Sequence, residues 1–219
     1  ISPWNTTATL PASGGLIYGA STQAYANRYP LRFTAHSPVL VTNTAPGRWF
    51  VDFGQDAFGY VTLKLNGAFA GQTLEVRFGE MATNWMVRTN PPGTIRHGIT
   101  KVALQNGDTV LEIRPPDKRG SGVAIRPLAG VVLPFRYAEF INCPAPLSSE
   151  SVTQQRLQYE FNDTAAAFDS SSTALNQVWA LCQYSMKATS FAGVYVDGDR
   201  ERLPYEADAY INQLSHYGV

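Results

Sequence analysis

The chain has 219 residues, 44% of them hydrophobic and 16% charged, which is enough apolar material for a buried core. Seventeen basic residues balance seventeen acidic ones, so charge favours neither nucleic acid nor an anionic membrane as a partner. No apolar run approaches the roughly 20 residues of a membrane span, and two cysteines 39 positions apart, Cys143 and Cys182, make neither a disulfide framework nor a zinc motif.

Residues 1–45 are rich in Thr, Ser, Ala and Pro, and read as an irregular lead-in with a few short strands such as LRFTA and PVLVT. From residue 48 the pattern sharpens. RWFVDFG and GYVTLKLNG alternate apolar with polar residues and predict two strands punctuated by Gly. QTLEVRFGEM predicts another, with Leu74, Val76 and Phe78 on one face and Thr73, Glu75 and Arg77 on the other. ITKVALQNGDTVLEIRP predicts two strands joined by a hairpin turn at Asn106-Gly107-Asp108. VAIRPLAGVVLPFRYAEFINC adds two more, broken by Pro127 and Pro134. Short strands with regular Gly, Pro and Asn turns predict a mostly β architecture, an antiparallel β-sandwich.

The character changes after CPAPLSSES. VTQQRLQYEF reads as one last strand. FDSSSTALNQVWALCQYSMKATSF then predicts a helix capped by Ser172, with Leu175, Val178, Trp179, Cys182 and Met186 at helical spacing. Leu203 precedes Pro204, so DGDRERL should be a loop, and Pro204 should sit in the first turn of a second helix. Ala207, Tyr210, Ile211, Leu214 and Tyr217 form the apolar face of that helix. The domain reading is a sandwich with its lead-in over 1–145, a linker with a strand over 146–168, and opening helices over 169–219. Both helices carry apolar faces that a larger bundle would cover, which suggests that the chain is a piece of a longer protein.

Chemistry concentrates near the end. The twelve residues from Asp197 to Asp208 hold five carboxylates (Asp197, Asp199, Glu201, Glu206, Asp208) and two arginines (Arg200, Arg202), with Tyr195 and Tyr205 beside them. Hydrolysis of a glycosidic bond needs two carboxyl groups across the scissile bond. Neighbouring acids and arginines are the levers that set which of them holds a proton. A solvated charged face is the plainer account, and Glu206 and Asp208 also suit the positive end of a helix dipole. No nucleophile elbow, zinc-protease motif or phosphate loop competes. His36, His97 and His216 are scattered and read as ordinary surface or core residues.

At these residues the sequence resembles the bacterial α-L-rhamnosidases of glycoside hydrolase family 78, whose acidic loop opens a helical catalytic domain. DGDRERLPYEAD looks like a variant of that loop. Glu201 matches the family's general acid by having an aromatic residue four positions on, Tyr205, and an aspartate seven on, Asp208. Asp197 and Asp208 resemble the family's hydroxyl-binding aspartates, and Asp199 and Arg200 are further sugar-contact candidates. Tyr205 stands where tryptophan is usual, Glu206-Ala207 replaces a pair ending in Gly, and Asp197 lies closer to Glu201 than is usual. Upstream, WFVDFGQDAFGYVTLKLNGAFAGQTLEVRFGEM and LPFRYAEFINCP are similar to the family's sandwich segments. By their residues alone, Phe53, Phe58, Tyr60, Phe135 and Tyr137 read as core and Arg136 as an ion-pair partner.

The resemblance implies a sandwich followed by the first helices of an (α/α)6 barrel, and an inverting α-L-rhamnosidase whose general base is a glutamate on a later helix. It implies a rhamnoside substrate, the rest of the catalytic domain as partner, no cofactor or metal, and inactivity of these residues on their own. Secretion or a periplasmic location follows from that substrate class. The rival readings are a non-catalytic carbohydrate-binding or structural sandwich, and a glycosidase of the same barrel type acting on another sugar.

Overall fold

The computed structural model describes residues 31–107, 110–117, 129–190 and 194–218. Expectations for residues 1–30, 108 and 123–127 lie outside the described residues. The chain divides into two compact units: one holds Phe33–Lys118 and Val131–Leu157, and the other includes Gln158–Val219.

The first unit is the sandwich. Its strands are β1 (Arg32–His36), β2 (Leu40–Ala45), β3 (Arg48–Lys64), β4 (Thr73–Gly79), β5 (Ala82–Thr83), β6 (Met86–Val87), β7 (His97–Ala103), β8 (Val110–Ile113), β9 (Leu133–Ile141) and β10 (Val152–Gln158). Eight of them join one hydrogen-bonded sheet in the order β1-β10-β3-β9-β4-β7, with β2 and β8 also paired to β3. The pairings of β3 with β2, β8, β9 and β10, and of β4 with β7 and β9, are all antiparallel.

Strand β3 corrects the expectation of two strands. It is a single element of 17 residues, and the Gly that suggested a turn makes an irregularity instead. Gly54 lies at φ +80, and the register with β9 shifts between Asp52 and Ala57. Before that point β3 pairs with β2 and β9; after it, with β9, β10 and β8. One strand therefore serves both parts of the sheet, and residues from both, such as Val51, Phe53, Val61, Leu63, Ile113 and Val152, meet in one core.

Strand β4 follows its alternation: Leu74, Val76 and Phe78 are fully buried, while Thr73, Glu75 and Arg77 are not. Phe53, Phe58, Tyr60 and Phe135 are buried as expected, and Tyr137 is half-buried against Phe50. Arg136 makes a two-pronged ion pair with Asp52, both bonds 2.8 Å. Burial opposes ionisation of Asp52, yet Arg136 and the Gly54 N–H hold its carboxyl below its ordinary value.

Two further expectations fail. Strands β7 and β8 are not hairpin partners: β7 adds to β4 and β8 to β3. Asn106 instead bridges to Ala68 and accepts from the Ala70 N–H at 3.0 Å. Pro134 does not break a strand either. It lies inside β9, opposite Phe58, just past the irregular stretch of β3. The two-residue strands β5 and β6 form a small hairpin, and the Val87 N–H donates to the fully buried Glu139 at 3.3 Å. Arg48 Nε reaches the same carboxylate at 2.7 Å, so a buried charge ties β3, β6 and β9 together.

Among its described residues the second unit contains two helices, α1 (Thr173–Thr189) and α2 (Glu206–His216). Ser172 caps α1 as expected, accepting from the Leu175 N–H. Helix α2 starts later than Pro204 suggested: Tyr205 is its extended N-cap residue and makes no side-chain cap bond. The apolar faces are largely open. Leu175, Val178 and Leu181 on α1 are exposed, as are Tyr210, Ile211 and Leu214 on α2, whereas Met186 is buried. Cys182 is exposed rather than buried, and it and the buried Cys143 are both free thiols.

Candidate active-site loop

The segment between α1 and α2 carries the acidic residues, and its backbone closes on itself. The Asp197 N–H donates to the Leu203 carbonyl at 3.4 Å, and the Leu203 N–H returns a bond to Asp197 Oδ1 at 3.1 Å. Within this bracket the Arg202 N–H donates to the Gly198 carbonyl at 3.1 Å. The loop is anchored to α1 by a bond from the Val196 N–H to the Thr189 carbonyl at 3.2 Å, with Val196 itself buried. At the same end, the Tyr195 hydroxyl meets His216 Nδ1 at 2.5 Å, and Phe161 stacks on the same imidazole with ring centroids 5.2 Å apart.

The charged side chains split into two sets. Asp199 and Arg202 turn inward, each side chain only 4% exposed, with Arg202 Nε donating to Asp199 Oδ1 at 2.6 Å. Arg202 holds φ +52, a left-handed conformation that costs a non-glycine residue energy. Arg200 and Glu201 turn outward, with side chains 61% and 31% exposed. Arg200 Nη2 lies 2.9 Å from Glu201 Oε1, and the Tyr205 hydroxyl donates to Glu201 Oε2. That hydrogen bond is the chief reason the Tyr205 phenol sits above its ordinary pKa; burial and the charges of Glu201 and Asp197 add to it, and Arg200 opposes. Asp197, Tyr205 and Asp208 are exposed, Asp208 in the first turn of α2.

Of the six residues singled out from the sequence, Glu201, Arg200 and Tyr205 therefore make one hydrogen-bonded cluster on the outside of the loop. Asp197 braces the base of the loop, while Asp199 is sunk beneath it. The partnership of Asp199 with Arg202 was not foreseen. Its only trace in the sequence is two opposite charges three positions apart, beside a second such pair. The Tyr195–His216–Phe161 contact leaves no sequence signal at all, since its members lie 21 and more positions apart. A carboxyl held at the surface of a closed loop, with a phenol and a guanidinium on its two oxygens, can exchange a proton with a bound hydroxyl or ether oxygen. Among the described residues no group of three or more His, Cys, Asp or Glu is arranged to hold a metal ion.

Residues 42–158 match the family model of the bacterial alpha-L-rhamnosidase concanavalin-like domain, and residues 163–219 match that of the bacterial alpha-L-rhamnosidase 6 hairpin glycosidase domain. The chain belongs to the bacterial alpha-L-rhamnosidase family. In this rhamnosidase-family chain the first model spans β2 to β10, and the second spans both helices and the acidic loop. Solved structures share the fold. The alpha-L-rhamnosidase of Aspergillus terreus aligns with a TM-score of 0.57 and 21% identity over 78% of this chain. That of Streptomyces avermitilis, complexed with L-rhamnose, gives 0.55 and 22% over 81%. That of Dictyoglumus thermophilum gives 0.59 and 18% over 82%. The chain spans only 18%, 16% and 19% of those three proteins' lengths. A comparison with curated proteins gave no significant match.

Proposed function

We propose that this chain is the part of an inverting α-L-rhamnosidase that joins the sandwich to the opening of the catalytic helices, and that Glu201 is the general acid. The observation that carries the reading is the loop geometry within a rhamnosidase-family chain: Glu201 projects from a closed turn with Tyr205 and Arg200 on its two oxygens. In the reaction, the Glu201 carboxyl gives its proton to the glycosidic oxygen as the bond from that oxygen to the anomeric carbon breaks. Water attacks the opposite face of the sugar and loses a proton to a second carboxylate, supplied from elsewhere in the protein. Asp197 and Asp208, both exposed, accept from sugar hydroxyls, and Tyr205 lies against the ring. The substrate is a terminal rhamnoside of a glycoside or polysaccharide, and export to the periplasm or medium suits such a substrate.

The test uses the full-length protein. Glu201→Gln should abolish release of p-nitrophenol from the aryl α-L-rhamnoside while the melting temperature stays within a few degrees of the parent. Proton NMR of the first-formed sugar should show the β-anomer. Near-parental turnover by the variant would remove Glu201 from the acid role, and a first-formed α-anomer would exclude inversion. A panel of other aryl glycosides decides the sugar.

A further inference from the structure

We infer that the buried Asp199–Arg202 ion pair is a positioning device for Glu201, fixing the direction in which the acid leaves the loop, rather than part of the sugar-binding surface. The inference rests on Glu201 being the acid. Three observations carry it. Both side chains are almost fully enclosed, so neither charge is presented to a ligand at the surface. The pair belongs to the segment closed by Asp197 and Leu203 and brackets in sequence the two residues that project, Arg200 and Glu201. Arg202 is the immediate neighbour of Glu201 and occupies a left-handed backbone conformation. Such a conformation persists only where surrounding contacts over-determine it. The Arg202 N–H to Gly198 bond and the guanidinium on Asp199 are among those contacts. If the pair is weakened, the backbone at 202 is no longer held, and Glu201 turns away from the leaving oxygen even though every atom of its own side chain remains.

A device that aims an acid has a signature that a purely structural pair lacks. Only leaving groups that need a proton should feel its loss. In the full-length protein, Asp199→Asn should lower kcat about 100-fold on phenyl α-L-rhamnoside, within the range that general acid catalysis supplies, with KM unchanged. On 2,4-dinitrophenyl α-L-rhamnoside, whose leaving group departs unprotonated, kcat should stay within about threefold of the parent. Arg202→Lys keeps the charge but not the fork, and should show the same split to a smaller degree; it carries the measurement if Asp199→Asn does not fold. Equal losses on both substrates, a raised KM with kcat kept, or no loss would each overturn the proposal. Glu201→Gln is assayed alongside. If it shows the split and the Asp199 and Arg202 variants do not, only the positioning role fails. If Glu201→Gln shows no split, the acid assignment fails and the positioning role falls with it.

Discussion

Asp56→Asn should flatten the dependence of stability on pH. Asp56 sits in the irregular stretch of β3, enclosed and hydrogen-bonded to the Glu80 carboxylate. Burial first, then the Glu80 charge and the hydrogen bond to it, push the Asp56 carboxyl from its ordinary value of 3.8 up to about 8; the Ala57 N–H and Arg156 pull the other way. The folded protein therefore keeps a proton on this pair that the unfolded chain gives up near pH 4. The stability tied to that proton is fully present below 3.8 and is lost as pH rises through about 8. One proton sets a slope of about 1.4 kcal/mol per pH unit. Between about pH 5 and pH 7 the parent should thus lose roughly 2–3 kcal/mol that the variant keeps, since asparagine donates to Glu80 without titrating. Urea unfolding followed by tryptophan fluorescence at several pH values measures this as the difference between the two proteins, in which titrations remote from the Asp56–Glu80 pair cancel. Parallel stability curves across that range would refute the shared proton.

Gly59→Ala should unfold the sandwich more readily than any surface change, by about 1–3 kcal/mol or more. A Cβ at Gly59 would overlap the Gln155 carbonyl where β10 pairs with β3, and a thermal melt reports the loss. Glu139→Ala should cost about 3–5 kcal/mol, because Arg48 loses its buried partner and the Val87 N–H its acceptor. Urea titration measures that loss, and Arg48→Met in the same background should recover part of it. Ser172→Ala should cost only about 0.5–1 kcal/mol, at the low end for a cap because its bond to the Leu175 N–H is 3.5 Å long, and should show as a small fall in helical circular dichroism on heating.

The sandwich was legible wherever one face of a strand is buried and the other is not. In β4 the period of two alone assigns Leu74, Val76 and Phe78 to the core, because local pattern and burial coincide there. It failed where Gly or Pro acts through long-range geometry. Gly54 makes an irregularity in β3 because β9 is beside it to absorb the register shift, and the same residue without that neighbour would read as a turn. Asn106-Gly107 turns the chain away from β7 without returning it along β7, since the partners of the two flanking strands are β4 and β3. At the site, the position of the charged loop was plain from composition. Which charges face out was not, because a closed loop has no periodicity to sort Asp199 and Arg202 from Arg200 and Glu201. The delayed start of α2 has a similar cause: Pro204 permits a helix, but Tyr205 stays extended with its hydroxyl on Glu201.

The double duty of β3 also governs the order in which the protein can be made. Its partners β2, β8 and β9 leave the ribosome first, but β10, which pairs with Gly59–Leu63, ends at Gln158. At about 5–20 residues per second, β3 waits several seconds between its own synthesis and that of its last neighbour. During that interval an apolar strand has an open edge, the hazard that chaperones guard against. The sandwich closes just as α1 begins to emerge, so translation delivers a finished β unit before the first residue of the acidic loop.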